Sequence, residues 1–414
     1  MPVWCPSCRI GGQASGSARW AEKRWRPRLN GDVMLVLSAV SLALWGVLEF
    51  FRGGFWRADQ RLGPAGPLAD WPTVVAVIPA RNEARTIGVT VASLMNQDYP
   101  GEIKVIVVDD GSVDGTYDAA GSWPRLLVIP AQPLAMGWTG KLWAVHHGLA
   151  AARDYAPEAE YVLMTDADIE HAPANIRELV YKVETESLHL VSLMVKLRCK
   201  SFWEKLLIPA FVFFFQKLYP FPWVNDPASP MAAAAGGCML IRRATLDAAG
   251  GVEPIRDRLI DDCAMGSLIK ARGPIWLGLS TDTRSLRAYE TLDEIWDMVA
   301  RTAFVQLDYS VFALIGTMIG MAVIYLVPPI AVFVGLTTYH DTVGLLGALA
   351  WAIMSYSYFP TLKLYGEHVW RVLWLPLAAL LYASMTLSSA FRHWQGAGGA
   401  WKGRTYAPGN NSGE

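Results

Sequence analysis

From residue 311 to residue 391 the chain is almost continuously apolar, and no water-exposed layer of a soluble fold accommodates a run of that length. The run divides into 311–337 (VFALIGTMIGMAVIYLVPPIAVFVGLT), 343–362 (VGLLGALAWAIMSYSYFPTL) and 371–391 (RVLWLPLAALLYASMTLSSAF). Each stretch is near or above the roughly 20 residues that a helix needs to cross a hydrocarbon core. Pro328 and Pro329 are expected to kink the first stretch or end it early, because proline lacks the N–H and crowds the carbonyl four residues back. A fourth stretch, 34–51 (MLVLSAVSLALWGVLEFF), is shorter and carries Glu49 near its end. It reads as a membrane anchor rather than the core of a signal peptide, since no small-residue cleavage site follows it. A composition of 53% hydrophobic against 18% charged residues agrees, being too apolar for an ordinary soluble enzyme. Many of the 18 tryptophans fall near the ends of apolar runs, where amphipathic rings favour the membrane–water boundary. A net charge of -1 gives no reason to expect a nucleic-acid partner.

Charged flanks set a conflict over orientation. Arg19, Lys23, Arg24, Arg26 and Arg28 precede the anchor, and Arg52, Arg57 and Arg61 follow it. The positive-inside rule then keeps the N-terminus inside and puts residues 70–300 outside. The basic tail (Arg392, Lys402, Arg404) after three spans gives the same answer. The chemistry argued below expects the opposite. Translation starting at Met34 would leave Arg52, Arg57 and Arg61 as the inside flank. Alternatively, one apolar stretch lies in the interface and changes the parity. Residues 1–33 are expected to be a disordered extension and 392–414 a tail. The CPSC at 5–8 has no second pair or His cluster, so an unstructured terminus is expected there before a four-ligand zinc site. Cys199, Cys238 and Cys263 are isolated, as expected of reduced thiols. Residues 202–223 (FWEKLLIPAFVFFFQKLYPFPW) carry Glu204, Lys205 and Lys217 among aromatics. They suit either a helix on the membrane surface or a buried core helix.

Between 73 and about 195 short apolar runs alternate with amphipathic ones. TVVAVIPA, IKVIVVDDGS, RLLVIP and YVLMTDAD read as strands; EARTIGVTVASLMNQ and GKLWAVHHGLAAARDYA read as helices. That alternation predicts an α/β domain with a mostly parallel sheet covered on both faces. Ligands of such sheets bind beyond the carboxyl ends of the strands. Polar clusters stand at three of those ends: ARNE, DDGS and DAD.

In TDAD the carboxylates of Asp166 and Asp168 are two residues apart. Alone, that pair is more often a solvated turn or helix cap. Behind the buried run YVLM, and on the same edge as DDGS, it suits one hard cation, Mg²⁺ or Mn²⁺, whose other ligands are substrate phosphates. VVDDGSVDGT offers Asp109 and Asp110, which can accept hydrogen bonds from a ribose hydroxyl or a base N–H. It is neither a P-loop nor a dinucleotide fingerprint. The seven histidines show no metal-ligand spacing, and the adjacent His146 and His147 read as helix residues. No Gly-x-Ser-x-Gly elbow is present.

Taken in order, VIPARNE, VVDDGSVDGT, TDAD, GGCMLIRR and IDDCAMG resemble the inverting family 2 glycosyltransferases of the GT-A fold. The resemblance covers about residues 73–305, and it implies a GT-A catalytic domain over 70–305 between the 34–51 anchor and transmembrane helices over 311–391. It implies donor-binding roles for Pro79, Glu83, Asp109, Asp110, Lys141 (in GWTGKLWA), Gly236 and Gly237. Asp166 and Asp168 would hold the metal on the donor diphosphate. Asp262 would be the base that takes the acceptor proton, with Asp261 beside it where Glu is more usual; a paired acid at a helix start also suits the helix dipole. At the place of the polymer synthases' QxxRW the chain reads MVART, Met298–Thr302. Arg301 matches and could bind the diphosphate, while the Gln and Trp are missing, which argues for transfer of a single sugar. The overall layout is most similar to the hopene-associated glycosyltransferases. That implies a UDP-sugar donor, a lipid hydroxyl acceptor of the hopanoid kind, and a bacterial inner-membrane enzyme facing the cytosol. A polyprenyl-phosphate or ceramide-type lipid transferase is the alternative, and a transporter or scaffold with a nucleotide-binding domain is the non-enzymatic one.

Overall fold

The computed structural model describes residues 28–396 and the short antiparallel pair Ala400–Trp401 and Arg404–Thr405. The CPSC motif (Cys5, Cys8), the basic residues from Arg19 to Arg26, Lys402 and the end of the tail lie outside the described residues.

The expected strands form one sheet with others the sequence did not announce. They are β1 Val74–Ala80, β2 Ile103–Asp109, β3 Leu126–Pro130, β4 Tyr161–Met164, β5 Ile169–Glu170, β6 Leu190–Lys196, β7 Met239–Arg242 and β8 Ile275–Ser285. Their order is β3-β2-β1-β4-β7-β6-β8-β5. β1 runs parallel to β2 and β4, and β2 parallel to β3. All seven residues of β1 are buried, because helices cover both faces. The pleat sends alternate side chains to opposite layers. Val75, Val77, Ile106 and Val108 share a core with the helix Gly140–Tyr155. Val74, Ala76, Val105 and Val107 share the other with the helices Ile87–Met95 and Asn175–Thr185. β7 is antiparallel to both β4 and β6, which makes the second half of the sheet mixed.

Four helices among the described residues are long and apolar enough to cross a membrane: Gly31–Phe51, Val311–Thr338, Asp341–Tyr365 and Val369–Trp394. The helix containing the first begins at Arg28, so residues 28–33, expected to be disordered, are helical. Pro328 and Pro329 do not end the second helix, which runs on to Thr338. Its backbone opens into a π turn over Ala322–Leu326, just before the prolines. Pro328 has no N–H for the carbonyl of Ile324; the buried Trp45 indole N–H of the first helix donates to that carbonyl instead, at 2.8 Å.

The helix Phe202–Leu218 joins the two parts, and the buried alternative is the one found. Ile208 and Val212 enter the sheet core. Leu206, Leu207, Ala210 and Phe213 enter the core of the apolar helices, beside Trp45, Tyr358 and Tyr382. Its start is a capping box: Ser201 Oγ accepts from the Glu204 N–H at 3.1 Å, and Glu204 accepts from the Ser201 N–H at 2.8 Å. Glu204 is fully buried and also accepts from the N–H groups of Lys200 (2.7 Å) and Tyr289 (2.8 Å) and from Arg198 (2.8 Å). Burial alone would raise its pKa; the N–H groups of Tyr289, Ser201 and Lys200, with Arg198, outweigh it and hold the pKa below the ordinary value.

Removing this carboxylate leaves Arg198 and three backbone donors without their acceptor. Glu204→Leu is expected to cost about 3–5 kcal/mol of stability, measured by denaturant unfolding in detergent. Because the folded pKa is the lower one, the stabilisation is present above the ordinary carboxylate pKa and is lost as pH falls through the lowered value. A variant as stable as wild type at neutral pH would refute this account of the helix start.

Candidate active site

The carboxyl edge of β1 and β4 opens into a cavity of about 630 Å³. Pro79, Arg81 and Glu83 reach it from β1 and the turn that follows. Asp166 and Asp168 come from the turn after β4, Gly236 and Gly237 from the loop before β7, and Arg287 and Tyr289 from the segment after β8. Lys141 stands in the first turn of Gly140–Tyr155, whose N-cap is Thr139. Asp261 and Asp262 open the helix Asp261–Lys270. Arg301 lines the far side.

The TDAD turn is tied down at three of its four residues. Thr165 Oγ donates to the Gly237 carbonyl at 2.7 Å, Thr90 Oγ to the Ala167 carbonyl at 2.9 Å, and the Leu286 N–H to the Asp168 carbonyl at 2.7 Å. Two cations then join carboxylates that are far apart in sequence. Lys141 Nζ lies 2.9 Å from Asp166 and 3.0 Å from Asp261. Arg287 donates from Nε to Asp168 at 2.7 Å and from Nη2 to Glu83 at 2.5 Å. Burial would lower the pKa of each cation, but the neighbouring carboxylates outweigh it, so both stay charged. Asp262 accepts from the Gly236 N–H at 3.1 Å and from the Cys263 N–H at 2.7 Å. Its pKa is nevertheless raised to about 6, first by burial and then by the Asp261 carboxylate, against the pull of Lys141. A Cβ on Gly237 would stand 2.9 Å from Val195, so the loop approaches β6 too closely for any side chain.

Of the expected site residues, Pro79, Glu83, Lys141, Asp166, Asp168, Gly236, Gly237, Asp261, Asp262 and Arg301 line the one cavity. Asp109 and Asp110 do not: both are buried beside it. Asp109 accepts from the Ser112 hydroxyl and, at 3.3 Å, from the Ser112 N–H. Asp110 pairs with Arg81 at 3.6 Å, which sets a cation on the cavity wall. Sequence reasoning missed Arg287. RSLRAYE follows an edge pair of strands and carries no motif; only its place past a strand end hinted at it.

Among the described residues no group of three or more His, Cys, Asp or Glu side chains could hold a metal ion. The site still fits a divalent ion bound through one carboxylate and substrate phosphates. Asp166 is the more accessible of the pair, its side chain 36% exposed against 7% for Asp168. Asp168 is ion-paired with Arg287 at 2.7 Å.

Residues 75–249 match the model of the family described as glycosyl transferase family 2. An N-acetylglucosaminyltransferase of Mesorhizobium japonicum is 35% identical over 124 residues, 28% of this chain and 27% of the relative. A 4,4'-diaponeurosporenoate glycosyltransferase of Staphylococcus aureus (strain USA300) is 37% identical over 76 residues, 18% of this chain and 20% of the relative. The chain thus spans about a quarter of the length of these curated relatives. Among solved structures, the mannosyltransferase PcManGT from Pyrobaculum calidifontis, in complex with GDP-Man and Mn²⁺, superposes with a TM-score of 0.50 at 18% identity. The superposition covers 88% of this chain and 99% of that one. The fold is therefore GT-A, with candidate membrane helices at both ends.

The charge arrangement makes a prediction independent of any substrate. The Asp262 carboxyl should titrate near pH 6 by ¹³C NMR. Asp261→Asn should lower that midpoint, and Lys141→Met should raise it. A midpoint in the ordinary carboxylate range in wild type would contradict the burial described here.

Proposed function

We propose, from the family 2 glycosyltransferase match over residues 75–249, that this chain is a membrane-bound inverting glycosyltransferase. It takes one sugar from a nucleoside diphosphate sugar, a UDP-sugar by the resemblance of its motifs, and puts it on a lipid hydroxyl. One observation carries the lipid acceptor. The cavity that holds Asp262 is also walled by Phe211 and Phe215 of the bridging helix and by Arg392 of the last apolar helix. A hopanoid is the acceptor that the chain's layout favours.

In the reaction the acceptor oxygen attacks the anomeric carbon in line with the departing diphosphate. The C–O bond to the diphosphate breaks as the new C–O bond forms, and Asp262 takes the hydroxyl proton. With its pKa near 6, Asp262 is ionised at neutral pH and remains basic enough to accept that proton. Asp166 would hold Mg²⁺ or Mn²⁺, which when bound supplies positive charge for the diphosphate. Lys141, kept cationic by Asp166 and Asp261, adds fixed positive charge on the same side. Arg301 has no ion-pair partner among the described residues and faces the cavity, where it can take a further phosphate oxygen.

That same cation supports a second reading, a phosphate group as acceptor. A phosphate nucleophile needs no proton removed at neutral pH, so Asp262 would then be dispensable.

Nucleotide release by the detergent-solubilised protein tests these readings, with UDP- and GDP-sugars, Mn²⁺ or Mg²⁺, and a bacterial lipid extract. Release should require both metal and lipid and should rise with pH through about 6. Asp262→Asn should lower kcat by about 10² or more. Near-wild-type release in that variant would sink the hydroxyl reading in favour of a phosphate acceptor. Full biological activity with both Asp166→Ala and Asp168→Ala would favour a transport or scaffold role.

A cytosolic donor requires the sheet domain to face the cytosol. Val113 is 91% exposed on that domain. Val113→Cys should gain impermeant-thiol labelling, relative to the unsubstituted chain, in inverted vesicles and not in intact spheroplasts. Added labelling in intact spheroplasts would put the domain outside, as the flanking charges suggest.

A further inference from the structure

Directly behind the TDAD turn lies a buried polar chain that the chemistry above does not use. We propose that His171 is a positioning residue: through Thr165 it locks the turn bearing Asp166 to the glycine loop that holds Asp262. It thereby fixes the diphosphate side of the site against the base side.

The chain has one direction. Asn175, His171 and Thr165 are all buried. Asn175 Nδ2 lies 3.0 Å from His171 Nδ1. An amide nitrogen only donates, so Nδ1 is the accepting nitrogen and the ring proton sits on Nε2. Nε2 lies 3.0 Å from Thr165 Oγ, which accepts there and gives its own proton to the Gly237 carbonyl at 2.7 Å. The backbone of His171 is pinned as well, its N–H donating to Ser93 Oγ at 3.0 Å.

The place of this chain explains its use. The ladder between β4 and β7 ends at Met164 opposite Met239. Beyond it the two backbones diverge, and the Thr165 hydroxyl spans the gap to Gly237. The next residue on one side is Asp166, paired with Lys141. The adjacent residue on the other is Gly236, whose N–H holds Asp262. Full burial pushes the His171 pKa down to about 3, so the ring stays neutral at working pH and acts by geometry rather than by proton transfer.

The test has two arms, and only the second rests on the glycosyl-transfer reading. In ¹⁵N-histidine-labelled protein, the resonances lost in His171→Gln should report a neutral ring protonated on Nε2 in wild type. Asn175→Leu should abolish that fixed tautomer. A Nδ1-protonated or charged ring in wild type at pH 7 would overturn the proposal. In the kinetic arm, Thr165→Val should lower kcat/KM for the donor by about tenfold or more per folded enzyme, alongside the fall in Tm that two unpaired buried groups bring. Thr165→Ser, which keeps the hydroxyl, should stay within about twofold of wild type. Equal kcat/KM per folded enzyme in Thr165→Val and wild type would also overturn it. The tautomer arm needs no turnover, so it decides the relay even where wild type released no nucleotide, an outcome that would count against the functional reading alone.

Discussion

The buried carboxylate of Glu204 fixes the start of the helix that joins the two halves of this molecule. A charge without solvent survives only if hydrogen bonds and an opposite charge replace the water it loses. Here the N–H groups of Lys200, Ser201 and Tyr289 and the guanidinium of Arg198 do so. The helix they start is apolar on both sides, one side belonging to the sheet core and the other to the apolar helices. Such a helix has no stable position on its own. It needs both partners, and its capping box sets where along its length each contact falls.

The site follows a related rule at the sheet edge. Its carboxylates come from turns far apart in sequence, and crowding them would be unfavourable without cations between them. Lys141 joins the TDAD turn to the helix of Asp261, and Arg287 joins it to Glu83. Each cation links two carboxylates, so the cavity wall is charged yet fixed. Asp262 is the exception: it has two backbone N–H groups and no ion pair within salt-bridge distance, and its pKa is raised to about 6, whereas Asp168, raised as well by burial, is held in an ion pair with Arg287. The group best suited to accept a proton is thus set apart by its surroundings rather than by its type.

How much of this was legible depends on whether the signal was local. β1, β2 and β4 are continuous apolar runs ending in polar turns, so their parallel pairing and the edge carrying Glu83 and Asp166 could be read directly. The strand β7 is only four residues long and follows a glycine turn, so its antiparallel insertion between β4 and β6 had no periodic signal. Arg287 and His171 were invisible for another reason. Each acts through partners distant in sequence, Glu83 for one and Gly237 by way of Thr165 for the other. Asp109 and Asp110 carry a second, structural role that no motif showed. The motif gave them a donor-binding role; in the structure both are buried, Asp110 paired with Arg81 and Asp109 with Ser112. Of the two outcomes expected at Pro328 and Pro329, early termination fails because a compensating donor, Trp45, comes from the other end of the chain, while the π turn before them disturbs the helix.

The same distant partnerships connect the apolar helices to the chemistry. Tyr289 gives its N–H to Glu204 and its carbonyl accepts from Ser201 Oγ at 3.1 Å, so this segment is fastened to the bridging helix at both polar groups. Arg287 stands two residues earlier on that segment, reaching Asp168 and Glu83. Any shift of the bridging helix against the sheet must therefore either stretch charged hydrogen bonds or move the guanidinium in the cavity. Hydrogen bonds to charged groups contribute about 1.5–3 kcal/mol each, and Arg287 itself makes two, so both responses are opposed and the helix and the guanidinium are held in one register. Packing among the apolar helices and the position of the site's cation are in this way one mechanical problem, solved at the start of a single helix.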